Sequence, residues 1–459
     1  MPRKLLFAAL AAATLAACGG GGPVTTPPAA GATVQVNLGD SPADRLIAVG
    51  VTVDAISLVD ANGRVVPILA APRPVEMMHL MGTVRPMAVT QVPQGAYTAA
   101  MMTFGAATVT YVDATTGQPV QRSVPGPMTV NVPLAPALTV GTTPMVVNLD
   151  MNMAASIAID AGGSVSMNPV MTARTNPPVY GSHDPEDGGM HGLSGTVNGS
   201  AGGTFTLTML QGMPGLSLAT GSGTQFTGMT GMGMMSDGML LTIDASRQAD
   251  GTWMAERVHS RMGAGGAMVA GVVTSLTGSP PTQLVLVMHD GAGNGMRPAN
   301  LAGTATINID GATSFDVDTD GVDLNNLPFT PRFDRATLTR GQRVEALSSS
   351  PMMQGGGMGG MMGGGTLTAT SLRLEQQGLR GTVSGYRASG SQATFTLALP
   401  ADSAFAQLTG VSAVTVHRQG GTQLRRLTGL GDGATVVVRG LLFFDGGAFR
   451  LVAARIVGT

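Results

Sequence analysis

One pattern occurs three times between residue 193 and the C-terminus, so a single small fold has to be built three times. Each copy opens on a glycine followed by β-branched residues: Gly195-Thr196-Val197, Gly271-Val272-Val273 and Gly381-Thr382-Val383. An alternating strand follows in each, at Thr204–Leu207, Leu284–Val287 and Thr394–Leu397. A threonine with an apolar residue two positions on comes next: Thr224/Phe226, Thr313/Phe315 and Thr422/Leu424. Gly238, Gly341 and Gly433 then lead apolar strands, and each copy closes on an alanine with an apolar residue three later: Ala255/Val258, Ala369/Leu372 and Ala453/Ile456. Sheets this small leave exposed edges unless they close, so each copy reads as a barrel. The modules span 193–260, 268–376 with long insertions, and 379–459.

Residues 32–175 alternate without repeating. Val34, Val36 and Leu38 share a face, as do Val49, Val51, Val53 and Ala55. Asn62-Gly63 between two apolar runs is a hairpin turn, and only Glu76–Met81 suits a helical turn. Charged residues are 11% of the chain and aromatics 4%, with 67 glycines, which suits short strands joined by tight turns. The expected fold is all-β: an antiparallel β-sandwich followed by three OB-like barrels.

Several motifs resemble known families. Asp40-Ser41-Pro42-Ala43-Asp44, the strand Val49–Val59 and Val92-Pro93-Gln94-Gly95-Ala96-Tyr97-Thr98 resemble the lipoprotein domain of unknown function forty-three eighty-two. Leu149-Asp150-Met151-Asn152 and Asn168-Pro169-Val170 fit the same pattern. The Pro-x-Gly-x-Tyr step is also similar to prealbumin-like sandwiches, which implies a tyrosine packed at the start of a strand. The repeated modules, the third most clearly, resemble the domain of unknown function fifty-six sixty-six. These resemblances imply a fold and an envelope location, and they bring no site residues.

The N-terminus reads as an export signal, 1–17. Arg3 and Lys4 precede the apolar stretch Leu5–Ala13, which is too short to span a bilayer. Leu15-Ala16-Ala17-Cys18 resembles the lipobox of bacterial lipoproteins, which implies lipidation of Cys18 after cleavage. Cys18 is the one cysteine of the chain, so no disulfide is expected. Gly19 in place of aspartate points to the outer membrane, and residues 18–31 read as a tether. A second linker, 176–192, carries His183-Asp184-Pro185-Glu186-Asp187 and His191. It reads as a flexible hinge, with divalent-metal binding as the alternative.

No Gly-x-Ser-x-Gly elbow, phosphate-binding loop or His-Glu-x-x-His helix occurs, so the expectation is a non-enzymatic protein without a cofactor. Two metal readings compete with that. Asp316, Asp318 and Asp320, followed by Gly321, have the spacing of a calcium loop, but Leu327 stands where the bidentate glutamate is needed. Met229, Met232, Met234, Met235 and Met239, and again Met352, Met353, Met358, Met361 and Met362, offer soft sulfur for copper. The third module holds eight arginines against three aspartates, and Arg425 with Arg426 is the expected contact for an anionic glycan. Nucleic acid is disfavoured, since the module has one tyrosine and no tryptophan for stacking. The sequence therefore predicts a lipid-anchored envelope protein that binds or scaffolds an anionic polymer or another envelope protein. The alternative is a metal-binding protein using calcium or copper.

Overall fold

The computed structural model describes residues 31–458 except 42, 114, 210–214, 263–265, 294–300 and 354–364. The export signal, Cys18, nearly all of the tether, and Met358, Met361 and Met362 lie outside the described residues. Among the described residues no helix is long and apolar enough to cross a membrane.

Alternation sets the sandwich. Val34, Val36 and Leu38 of the strand Ala32–Ser41 face Val49, Val51 and Val53 of Leu46–Asp60 across one apolar core. Ala55 does not join them. The register shifts between Val53 and Ala55, and Ile56 and Leu58 take the buried face instead. One sheet runs Met171–Asn176, Met145–Asn152, Ala32–Ser41, Val84–Val92. The other centres on Leu46–Asp60 and Gly95–Val112. The sandwich is not wholly antiparallel, because Ala32–Ser41 and Met145–Asn152 run parallel, with Val36 opposite Val147. Much of the second sheet serves as the long connection such a pair needs. The Asn62-Gly63 turn forms, with Asp60 Oδ1 accepting from the N–H of Asn62 and Arg64. Tyr97 packs at the head of its strand and donates its hydroxyl to the Pro93 carbonyl.

The repeat becomes one topology built three times. In the third module Gln376–Ser389, Gln392–Ala398, Ala413–Arg425, Ala448–Gly458 and Thr435–Asp445 close in that order. The first module follows the same circuit and closes where Ala219 meets Met254. In the second, the ends of the sheet are halves of the same two strands: Thr304–Asn308 with Ser314–Val317, and Thr366–Thr368 with Ser371–Leu374.

Each repeated residue has a mechanical role. The hydroxyls of Thr224, Thr313 and Thr422 donate to the carbonyls of Ala255, Ala369 and Ala453, at 2.7, 2.8 and 2.6 Å. The apolar partners then align in parallel register: Phe226 with Val258, Phe315 with Leu372, Leu424 with Ile456. Gly195, Gly271 and Gly381 lie where the second strand crosses the first. A Cβ there would stand 2.7, 2.3 and 2.4 Å from a carbonyl oxygen of Thr208, Val287 and Ala398 respectively. Glycine is required by that approach.

The barrels are docked onto each other and onto the sandwich. Val437 and Val457 of the third barrel belong to the sandwich core, and Leu441, Phe443 and Val452 belong to that of the second barrel. The linker is not a free hinge. Gln35 and Asn37 donate side-chain N–H to the carbonyls of Gly189 and Pro185, and Asp184 caps the short turn Pro185–Asp187.

Candidate functional site

Docking leaves a polar cavity of about 120 Å³ at the junction, with walls from the sandwich and all three barrels. The sandwich contributes His79, on the turn Met78–Leu80, and Arg85; the first barrel contributes Arg261. The second barrel contributes His289, Asp290, Asp318, Asp320, Arg343, Glu345 and Glu375. The third contributes Arg439, set between the apolar runs Val436–Val438 and Leu441–Phe444 of the strand Thr435–Asp445.

Five carboxylates line this cavity and each has a guanidinium. Asp290 pairs with Arg85 at 3.2 Å, Asp318 with Arg373 at 2.6 Å and Asp320 with Arg257 at 3.6 Å. Glu345 pairs with Arg261 at 3.2 Å and Glu375 with Arg343 at 3.6 Å. Arg439 has no carboxylate within ion-pair distance among the described residues. Its Nη1 donates to the His79 carbonyl at 3.0 Å. Burial, reinforced by the charge of Arg343, pulls the Arg439 guanidinium down to about 9. Arg257 is shared between Asp320 and Asp244, so the charges of the wider network balance, and Arg439 stands out as a buried guanidinium that reaches a carbonyl instead of a carboxylate.

The imidazoles of His79 and His289 stack at 5.6 Å. His79 Nε2 and both ring nitrogens of His289 have no hydrogen-bond partner. Burial holds His289 down at about 4 and His79 well below the ordinary range, so both are neutral. Glu76, beneath His79, accepts from the N–H of Val49, Met78 and His79. Burial nevertheless pushes its carboxyl up to about 7, and it does the same to Asp318 and Glu345.

The residues singled out from the sequence are dispersed. Asp316 lies on the strand Ser314–Val317 and accepts from its neighbour Val317, while Asp318 and Asp320 turn to separate arginines. Among the described residues no three His, Cys, Asp or Glu side chains gather to hold an ion. Met229 and Met235 are buried in the first barrel's core with Met232 and Met239 packed on it, and Met352 is in the second core. Met234 and Met353 are exposed. Arg425 pairs with Asp184 and Asp187 at 2.8 and 3.0 Å, and Arg426 with Glu186 at 3.5 Å. The linker acids therefore already occupy both guanidiniums expected to meet a glycan. His79, His289, Arg343, Glu345, Glu375 and Arg439 were not singled out. The signal that marks several of them is a charge inside an apolar strand of a chain only 11% charged.

Two solved structures of a single-stranded DNA binding protein from Thermus aquaticus overlap part of the chain. The deletion mutant is 12% identical, with 42% of this chain and 93% of that one covered and a TM-score of 0.16. The wild type is 13% identical, with 43% and 94% covered and a TM-score of 0.15. Overlap this slight carries no argument about fold or binding. No curated protein matches the chain. The family match falls on the first barrel rather than the third: residues 194–259 match the Domain of unknown function (DUF5666), so the chain carries one such domain there.

Proposed function

We propose that the chain is a lipid-anchored, non-enzymatic protein of the cell envelope that binds a small oxyanion, carboxylate or phosphate, in the cavity where its four folded bodies meet. The observation that carries this reading is Arg439, a buried guanidinium with no carboxylate at ion-pair distance among the described residues, facing a polar cavity whose five carboxylates each contact another arginine. A desolvated charge without a partner is costly, and an anion with two acceptor oxygens offsets that cost. The unpartnered nitrogens of His79 and His289 supply further polar contacts. The anchor rests on the Leu15–Cys18 motif and the envelope location on the resemblances of the sandwich and barrels. An acidic sugar or a phosphate of an envelope polymer has the required chemistry.

The test uses the full chain with inorganic phosphate and galacturonate as probes. At millimolar concentration either is expected to raise the Tm by mass action, and Arg439→Gln to abolish the rise. An equal rise in Arg439→Gln marks a general salt effect and overturns the reading. In the same preparations Cys18→Ala should move the protein from the membrane to the soluble fraction, and retention on the membrane refutes the anchor.

A further inference from the structure

Beside the anion cavity is a second one, of about 70 Å³, walled by the linker and all three barrels, with Thr83 of the sandwich at its edge and Asp320, held by Arg257, in its lining. Two histidines of the linker, His183 and His191, line it with ring centroids 5.9 Å apart and planes at 42°. Each ring is held from behind by the first barrel. His183 Nδ1 is 3.2 Å from Glu256 Oε2, and His191 Nδ1 is 3.0 Å from Asp244 Oδ1. Asp244 is fixed in turn, accepting from the Gly192 N–H at 2.7 Å and from Arg257 Nε at 2.6 Å. A carboxylate can only accept, so each Nδ1 carries a proton and Nε2 is the ring atom left to bind an ion. Among the described residues neither Nε2 has a hydrogen-bond partner.

We propose that His183 and His191 bind one divalent transition ion of the zinc class through their Nε2 atoms. Two imidazoles sharing an ion at about 2.0–2.1 Å in tetrahedral geometry have ring centres about 5.2 Å apart, so the observed 5.9 Å requires the rings to close by under 1 Å. A carboxylate behind the distal nitrogen is the arrangement that fixes tautomer and orientation in histidine metal sites. The linker acids are not in this ligand set, because Asp184, Glu186 and Asp187 pair with arginines of the third barrel. Two protein donors leave the other positions to water, for which the cavity has room. Arg257, Arg439 and Arg455 also line it, so an ion carrying an anionic co-ligand suits the site better than a bare one. This inference stands independently of the anion reading.

The experiment titrates ZnCl2 into the untagged, metal-stripped full chain by calorimetry, with Cu²⁺ as a spectroscopic substitute. One zinc per chain is expected. His183→Asn and His191→Asn should each weaken binding by about tenfold or more, and Glu256→Gln by a comparable factor without removing a ligand. His417→Asn should leave zinc binding unchanged. Electron paramagnetic resonance of the Cu²⁺ form should show two coordinated imidazoles, falling to one in His183→Asn. If His191→Asn fails to fold, His183→Asn still decides, because that ring is 38% exposed. Absence of zinc binding, or affinity that His183→Asn leaves unchanged, overturns the proposal.

Discussion

His289 sits in the strand Gln283–Gly293 with Glu375 at 3.8 Å, beyond hydrogen-bonding reach, so burial rather than pairing governs its charge. Its folded value, about 4, lies below the ordinary 6.5. Between those two values the unfolded chain binds a proton that the folded chain refuses, so this residue's contribution falls as pH drops from 7 to 4. The full difference amounts to about 3 kcal/mol. Glu76, Asp318 and Glu345 act in the opposite sense, since each is raised to about 7 and takes up protons in the folded state first. Whole-protein stability mixes the two, so the informative quantity is the difference between wild type and His289→Asn, from urea unfolding at several pH values. That difference should shift by about 3 kcal/mol in favour of the variant on going from pH 7 to pH 4. A difference that does not vary with pH would mean that His289 titrates alike folded and unfolded. Residues of this kind were hard to read from the sequence because a lone histidine carries no sign of its burial. Arg425 and Arg426 misled for the reverse reason: clustered charge was visible, but the linker acids that consume it are more than 230 positions away.

At the scale of elements the sequence was more informative, because the repeat reports geometry that the backbone cannot do without. The threonine and alanine recur together since one hydroxyl joins the third strand of each barrel to the carbonyl of the fifth. Thr422→Val keeps the shape and removes the donor, leaving the Ala453 carbonyl without that partner in a buried setting. The expected cost is about 1–3 kcal/mol, with Thr422→Ser closer to wild type and Thr224→Val milder, since Thr224 is only half-buried. Chemical denaturation measures all three, and a Thr422→Val protein as stable as wild type would remove the hydroxyl from the account of barrel closure. The bulge after Val53 and the parallel pairing of Ala32–Ser41 were not legible. Alternation says which face a side chain takes, and it is silent on strand direction and on where a register slips.

The greatest departure from expectation is in the whole molecule. Separate modules joined by a hinge follow naturally from a repeat and a polar linker, yet the bodies share cores and the linker is pinned between them. Docking depends on pairs such as Asp44 with Arg380 and Arg85 with Asp290, and nothing in a single sequence assigns one scattered charge to another. The apolar side of the docking is more consequential for stability. Leu441 belongs by sequence to the third barrel, but its side chain is fully buried in the core of the second. Leu441→Ala therefore opens a void between two bodies, at about 2–5 kcal/mol, and the loss should register in both. Amide hydrogen exchange can locate it. Protection should fall in Ala267–Thr277 and Arg343–Ser348 of the second barrel as well as in Thr435–Asp445. The first barrel has its own core, to which the sandwich adds Val89, and its Leu240 packs on Met268 and Leu347 of the second barrel; the strand Thr204–Met209, away from that contact, should exchange as in wild type. Loss of protection confined to 379–458 would restore the picture of independent modules. Loss in the second and third barrels together makes them one cooperative unit, with the polar cavity at its border.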